Sequence, residues 1–209
     1  MTPDLALLLA FANFAFVASI TPGPNNLMVM ASGAAFGMRA TLPHIAGIAV
    51  GFAVMLSAVV MGLGALLAQV PALWIGLKWA GVTWLCYLAW KLARPALFPT
   101  QSDGGAASGP AKARPLTVIE AALFQWVNPK AWTMTVAVTA AYADLATSAW
   151  QRALIMSLVF AVIAPLCNAT WLVAGRAVGA LLADAVWGRV ALLSMAALIV
   201  LSAVLIASG

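Results

Sequence analysis

The sequence predicts an all-α integral membrane protein whose six transmembrane helices form two inverted three-helix repeats. Three observations favour this fold: a strongly apolar composition, long stretches without charge, and a polar stretch near the midpoint of the chain. Of the 209 residues, 65% are hydrophobic and only 7% are charged, whereas soluble domains have about 45–50% apolar and about 25% charged residues. This composition excludes an ordinary soluble protein.

The spans are identified by length and by the lack of charge. A helix needs about 20 mainly apolar residues to cross the hydrocarbon core of a bilayer. Stretches without Asp, Glu, Lys or Arg cover residues 5–38, 40–77, 153–175 and 190–209. Two further spans are predicted at 71–90, with Lys78 near its start, and at 116–142, which contains Glu120 and Lys130. We therefore predict six transmembrane segments.

A linker divides the chain. Residues 93–116 are rich in Pro, Gly and Ser, a composition that cannot bury a core. The predicted units are a first three-helix half at 1–92, this linker, and a second three-helix half at 117–209. Because each half has an odd number of spans, the halves must lie in opposite orientations, which is the arrangement of an inverted repeat.

The basic residues predict the orientation in the membrane. They cluster in the first, third and fifth connections, at Arg39, Lys91, Arg94, Lys112, Arg114, Arg176 and Arg189. Since cytoplasmic loops carry the excess of Lys and Arg, the linker is expected in the cytoplasm and both termini outside. The same rule accounts for the net charge of +5, so nucleic acid is not an expected partner.

Several function classes are disfavoured by what the sequence lacks. Five acids and one histidine are too few for a polynuclear metal site or a standard hydrolase constellation. The sequence predicts no enzyme, no cofactor and no metal. Cys86 and Cys167 both lie in apolar stretches, which disfavours a disulfide framework.

Two of the predicted spans contain proline breaks. The first span holds Thr21-Pro22-Gly23-Pro24-Asn25-Asn26, and the fourth holds Asn128-Pro129-Lys130. Proline removes a helical donor and glycine lets the backbone bend. Pro24 and Pro129 lie 105 residues apart, about half the chain length, and matching broken segments are the best sequence pointer to the substrate site of a transporter. The structural alternative is that these prolines only kink helices for packing.

The polar residues around the breaks are the candidate substrate-binding residues, since lipid tolerates few such groups. They are Thr21, Pro22, Gly23, Pro24, Asn25, Asn26, Asn128, Pro129 and Lys130. Gln125, Trp126 and Asn168 join them, because an amide at membrane depth needs a partner and Trp126 could wall a cavity.

Lys130 is expected near the middle of the fourth span. Glu120 and Asp144 bracket that span, 24 residues or roughly 36 Å of helix apart, so Lys130 falls about 15 Å from the Glu120 end. From that depth a lysine hardly reaches the headgroups. It could hold a carboxylate or carry a coupled proton, and the sequence leaves both roles open.

Other residues are expected to serve packing. His44, at the start of the second span, is interpreted as structural, although it could carry a proton. Glycine pairs with small-xxx-small spacing let helix backbones approach closely. These pairs are Gly33/Gly37, Gly47/Gly51 and Gly175/Gly179.

Two motifs, Thr-Pro-Gly-Pro-Asn at 21–25 and Asn-Pro-Lys at 128–130, lie in six predicted spans that a polar linker divides. In these features the chain resembles the lysine-exporter (RhtB-type) amino-acid efflux family. The resemblance covers almost the whole chain. It implies secondary-active export of amino acids or their derivatives from a bacterial cytoplasm, driven by an ion gradient.

One position departs from the family pattern. Many members carry an acid after the glycine of the second segment, whereas here Gly51 is followed by Phe52, so a partner for a cationic side chain is missing. Phe52 therefore joins the candidate site, where it would limit side-chain size. The chain looks more like the cysteine/O-acetylserine exporter branch at Asn25-Asn26, Phe52, Trp79-Ala80-Gly81, Tyr87-Leu88-Ala89-Trp90-Lys91, Asn168 and Trp171.

The leading hypothesis is thus an inner-membrane exporter of a small neutral amino acid or derivative, coupled to a proton or another ion. An exporter of basic amino acids and a passive small-solute channel are the alternatives. The expected partners are the amino-acid substrate and the lipid bilayer. A homodimer stays open, because an apolar face that dimerises looks the same as one that contacts lipid.

Overall fold

The computed structural model describes residues 4–98, 114–182 and 185–208, and every regular element within these ranges is helical. The α-helices are α1 Leu5–Ile20, α2 Pro24–Phe36, α3 Met38–Ala58, α4 Gly64–Gln69, α5 Pro71–Leu97, α6 Val118–Phe124, α7 Pro129–Ala141, α8 Ala149–Leu182 and α9 Ala185–Ser208. A π-helical turn at Val59–Leu63 joins α3 to α4, and 3₁₀ turns occupy Gln125–Val127 and Ala143–Leu145. The all-α prediction is confirmed.

Length and apolar composition make three helical stretches able to cross a membrane. They are Met38–Leu66, Ala72–Lys91 and Ala149–Ala177. The pair α1 and α2, bent by 54°, is a fourth if it is counted as one broken span. The apolar helices Val118–Val127 and Leu192–Ser208 are shorter, so the six-span arrangement stays a prediction.

Glycines allow close packing of two helix pairs. A Cβ on Gly33 of α2 would lie 2.7 Å from Leu172 Cδ1 of α8, and one on Gly175 would meet the Met30 carbonyl. In the pair α3 and α6, a Cβ on Gly51 would lie 2.5 Å from the Cα of Ala122. The backbones therefore touch where the sequence predicted packing. Gly47 likewise faces α6, at the Val118 carbonyl.

Gly37 does not share this role, and its predicted packing contact is wrong. It lies between α2 and α3 with φ +81° and has no atom within 4 Å of a built Cβ. Glycine suits this position because other residues rarely adopt positive φ. The surroundings of its counterpart Gly179 lie outside what the structure describes.

Apolar side chains pack into separate clusters that involve different helices. One cluster joins α1, α3, α7 and α8 and contains Phe11, Phe52, Met55, Trp132 and Phe160. Another joins α2, α5, α6 and α9 and contains Leu27, Leu85, Phe124, Met195 and Ile199. Large apolar side chains such as Leu9, Val54 and Leu166 are exposed on the outside, as expected for a surface that contacts lipid.

The ends of the predicted linker are ordered. Helix α5 continues to Leu97, into the stretch predicted as linker, while residues 99–113 lie outside the described residues. At the other end, Glu120 caps α6 together with Thr117 and receives two hydrogen bonds of 2.7 Å from Arg114. The hydrogen bonds from Arg114, and then those from Thr117, lower the pKa of Glu120 to about 2. Glu120 is therefore ionised at neutral pH.

Candidate substrate site

Side chains from two helices satisfy the backbone at the break between α1 and α2. The Asn26 amide donates to the carbonyls of Ser19 at 3.0 Å and Thr21 at 2.8 Å. The indole N–H of Trp171, on α8, donates to the Ile20 carbonyl at 3.0 Å. Within a membrane, a helix break is stable only when its carbonyls find such partners. These side chains therefore stabilise the break between α1 and α2.

Lys130 reaches the same break from α7. Its Nζ donates to the Thr21 carbonyl at 2.6 Å, to Thr21 Oγ1 at 3.1 Å and to the Pro22 carbonyl at 3.5 Å. These carbonyls follow the C-terminus of α1, the negative end of the helix dipole, where a cation is favourable. The lysine stem lies against Gly23, where a Cβ would come within 2.6 Å of Lys130 Cδ.

The second break is built around Asn128 and Pro129. Buried Asn128 caps α7, and its Oδ1 accepts a hydrogen bond of 3.1 Å from the Lys130 backbone. Pro129 occupies the first turn of α7, where its missing N–H leaves no helical bond unmade. The indole N–H of Trp132 donates to the Trp126 carbonyl at 2.8 Å. This arrangement starts α7 with Lys130 directed at the first break.

Asn25 and Gln125 join the two breaks through their side-chain amides. Asn25 Nδ2 donates to Gln125 Oε1 at 2.8 Å, and Gln125 Nε2 donates back to Asn25 Oδ1 at 3.3 Å. Gln125 Nε2 also donates to the Ala121 carbonyl at 2.9 Å. The two side-chain amides are therefore hydrogen-bonded to each other, and they join α2 to the 3₁₀ turn. This is a second polar contact between the two breaks, in addition to that of Lys130.

A cavity of about 40 Å³ lies where the breaks meet. Seven of the predicted site residues line it: Gly23, Asn25, Asn26, Phe52, Asn128, Lys130 and Asn168. A volume of about 40 Å³ has room for roughly three water molecules at about 10–15 Å³ each. The cavity is therefore small in this conformation, and the side chain of Lys130 forms part of its lining. We refer to it as the central cavity.

Asn168 brings an unused acceptor to the central cavity. Its Nδ2 donates to the Ala164 carbonyl at 3.0 Å, one turn earlier in α8. Its Oδ1 is buried and has no hydrogen-bond partner. A buried acceptor without a partner is costly, so Asn168 is suited to receive a donor from a ligand in the cavity.

Helix α2 directs its N-terminus at the central cavity. Its N-cap, Gly23, provides no side-chain cap, and the first-turn N–H groups of Asn25 and Asn26 have no helical acceptor. All three residues line the cavity. Such an N-terminus favours an anion. Among the described lining residues there is no acid, and Lys130 is the charged side chain.

The other predicted residues do not line the central cavity. Thr21 and Pro22 contact it through their bonds to Lys130, and Pro24 is buried in the first turn of α2. Gln125 is fully buried beside Asn25, while Trp126 packs edge-on against Trp132. Pro129 lines a separate groove.

Sequence reasoning missed apolar side chains that α7 and α8 contribute to the central cavity. Phe160 lines the cavity, with its ring centroid 4.7 Å from that of Phe52. Met134 and Ala164 also line it. All three lie in apolar runs, where no pattern in the sequence separates cavity-lining from lipid-facing positions.

Comparisons with known proteins identify the family of this chain. The chain is 30% identical, over 177 residues, to proteins named cysteine/O-acetylserine efflux protein from Escherichia coli (strain K12) and Shigella sonnei (strain Ss046). Each match covers 84% of this chain and 85% of the relative. No solved structure matches the chain. The LysE type translocator family model matches residues 16–208, and the chain therefore belongs to this family of membrane translocators.

Proposed function

We propose that this protein exports a small neutral amino acid or derivative, of the cysteine, O-acetylserine, serine or threonine type, across the bacterial inner membrane. The export is secondary active and uses the gradient of a proton or another ion. The observation that carries the proposal is the contact of Lys130 with the carbonyls of the first break, 2.6 Å from Thr21. It joins two proline-broken segments at one polar cavity, as in transporters with discontinuous helices.

The cavity has groups for the carboxylate of an amino acid. Lys130 offers three N–H donors, and the first turn of α2 offers the backbone N–H groups of Asn25 and Asn26. A carboxylate accepts hydrogen bonds from such groups more strongly than a backbone carbonyl does. The substrate therefore competes with Thr21 for Lys130, and its binding releases the lysine from the first break.

The ammonium group of the same substrate has an acceptor in Asn168 Oδ1, which is buried without a partner. The rings of Phe52 and Phe160 stand beside the cavity and limit the length of the side chain. A zwitterion with a short neutral side chain satisfies both ends of this site.

A basic amino acid fits less well. Its second cation would need an acid, and none lines the central cavity among the described residues. Burying an unpaired ammonium at membrane depth is expensive. The names of the relatives, cysteine/O-acetylserine efflux proteins, also support a neutral substrate.

The proposed mechanism is alternating access by two inverted three-helix halves, with the linker 93–116 in the cytoplasm and both termini in the periplasm. The pairs α3 with α8 and α5 with α9 pack together, and under the proposed repeat each pair joins equivalent helices of the two halves. Rocking of one half against the other then opens the central cavity to each side in turn.

Counterflow in proteoliposomes tests this function. Vesicles are loaded with unlabelled cysteine, O-acetylserine, serine, threonine or lysine, and entry of the same labelled compound is followed. The proposal predicts trans-stimulated entry of a small neutral amino acid. Stimulation by lysine alone would contradict the neutral substrate, while entry without trans-stimulation would favour a channel.

A further inference from the structure

A second cavity, of about 250 Å³, lies between α2, α5, α9 and the residues just before α6. We call it the linker-side cavity, because it lies where α5 leads into the linker and the linker leads into α6. Its walls are mostly apolar. Its polar lining residues are Ser32, His44, Lys91 and Arg114.

His44 has no hydrogen-bond partner among the residues that the structure describes. The residue is 1% exposed, and neither ring nitrogen makes a hydrogen bond. A neutral imidazole carries one donor and one acceptor, and native proteins rarely bury both without partners. His44 lines the linker-side cavity. Its ring nitrogens can therefore form hydrogen bonds with a ligand in that cavity.

Ser32 adds an acceptor beside this cavity. The Thr41 hydroxyl donates its hydrogen to the Gly37 carbonyl at 2.9 Å. The hydrogen bond of 2.9 Å between the Ser32 and Thr41 hydroxyls is therefore donated by Ser32. This leaves the lone pairs of Ser32 Oγ free to accept a hydrogen bond from a ligand.

Two exposed cations, Lys91 and Arg114, also line the cavity. Arg114 is paired with Glu120 through two hydrogen bonds of 2.7 Å. Lys91 is exposed and makes no ion pair with any residue that the structure describes. Lys91 is thus the cation that is available to an anionic group.

The two cavities are close neighbours. His44 lines the linker-side cavity and Ile48 lines the central cavity, one turn apart on the same face of α3. On α2, Asn26 lines the central cavity and the next residue, Leu27, lines the other. On its other helices, the central cavity is lined by Phe52 and Phe160, which belong to the packed cluster around Phe11.

We propose that the linker-side cavity binds a small neutral amino acid before it enters the central cavity. The carboxylate of the zwitterion binds at Lys91, and its ammonium group donates to His44 and Ser32. This inference rests on the proposed function, because it concerns the same substrate. A lipid acyl chain would fill the apolar walls but would leave both nitrogens of His44 unpartnered.

A thiol-protection experiment tests the site directly. Ala35 is exposed and lines the linker-side cavity, whereas the natural Cys86 is exposed outside that lining. Ala35→Cys is made in the full chain, and maleimide labelling of both thiols is measured in detergent with serine or O-acetylserine. At ten times the Kd the introduced thiol should react about tenfold more slowly, because bound protein is shielded. Labelling of Cys86 should not change.

Variants separate this site from the central cavity. In the Ala35→Cys protein, adding His44→Leu should abolish protection and adding His44→Gln should retain part of it. Adding Lys130→Gln should leave protection intact, since the linker-side cavity does not use Lys130. If His44→Leu does not fold, protection in the Ala35→Cys protein alone decides the question.

Three results would overturn the proposal. They are unchanged labelling at saturating amino acid, protection that Lys130→Gln removes, and protection by phosphatidylglycerol but not by serine or O-acetylserine. Counterflow of the unaltered protein distinguishes a failure of the linker-side site from a failure of the proposed function. If counterflow occurs without protection, only the linker-side site is wrong. If none of the tested amino acids gives counterflow, the proposed function fails as well.

Discussion

The ammonium group of Lys130 donates a hydrogen bond of 2.6 Å to the backbone carbonyl of Thr21, across a separation of 109 residues. This bond joins the start of α7 to the end of α1, so a side chain next to the second helix break binds the backbone of the first. Under the proposed function, a substrate that takes Lys130 away from Thr21 would loosen this contact. Substrate binding would then be linked to movement of the two breaks through one side chain.

Gly23→Ala tests the fit of Lys130 against the break. The added Cβ would lie 2.6 Å from Lys130 Cδ, so the lysine must move away from the Thr21 carbonyl. We expect counterflow to fall at least about tenfold while the protein remains folded, because a displacement of about 1 Å in a positioned group is enough to lose such a factor. Gly76→Ala is the control, since its Cβ would meet nothing within 4 Å. Equal transport by both variants would contradict this role of Gly23.

Asn168→Leu tests the acceptor proposed for the substrate ammonium. Removing a hydrogen bond to a charged group costs about 1.5–3 kcal/mol, so the half-saturation concentration in counterflow should rise roughly 10–100-fold. The melting temperature should change little, because Asn168 Oδ1 has no partner among the described residues and the Ala164 carbonyl, to which Asn168 Nδ2 donates, keeps its backbone hydrogen bond within α8. Thr170→Val is the control, since exposed Thr170 bonds only to the local Cys167 carbonyl at 2.7 Å. An unchanged half-saturation concentration for Asn168→Leu would exclude Asn168 from the site.

Gly175→Ala tests the packing of α8 against α2. The new Cβ would meet the Met30 carbonyl, which is backbone and cannot rotate away. Overpacking of this kind costs about 1–3 kcal/mol, and we expect a lower melting temperature of the purified protein by several degrees, at about 2–4 °C per kcal/mol. A melting temperature equal to that of the Gly76→Ala control would show that these helices are not in backbone contact.

Glu120→Gln tests the cap of α6 and its pH dependence. Folding lowers the pKa of Glu120 from 4.5 to about 2, through hydrogen bonds from Arg114 and then Thr117. A lowered pKa means that the stabilisation is complete above the unfolded value and is lost as pH falls towards the folded value. The difference in melting temperature between Glu120→Gln and the unaltered protein should be constant from about pH 5 to about pH 8 and should shrink below about pH 4. A difference that changes steadily between pH 5 and 8 would contradict the assignment.

The sequence predicts much of this site because the strongest signals are local. Prolines within apolar segments locate both breaks, and the depth of Lys130 follows from counting residues between Glu120 and Asp144. The family resemblance is confirmed by the match over residues 16–208. Residues in these motifs make up most of the predicted set that lines the central cavity.

The remainder depends on contacts between distant parts of the chain, which one sequence does not reveal. Nothing in the order of residues indicates that Lys130 bonds to carbonyls rather than to an acid, or that Asn25 pairs with Gln125. Phe160 is one of many apolar residues in a long helix, and only packing brings it to Phe52. The sequence favours a structural role for His44, and it does not indicate that both ring nitrogens are buried without a hydrogen-bond partner among the described residues.

Counterflow by Lys130→Gln, compared with Lys78→Gln, tests the central claim most directly. Both lysines lie within predicted spans, but Lys78 lines a separate groove, which touches the second break only at Val127 and Pro129, and does not line the central cavity. We predict that Lys130→Gln, once shown to be folded and inserted, loses trans-stimulated entry of labelled O-acetylserine at least about tenfold, and that Lys78→Gln retains it. Normal counterflow by Lys130→Gln would contradict the proposal that substrate binds where the two broken segments meet.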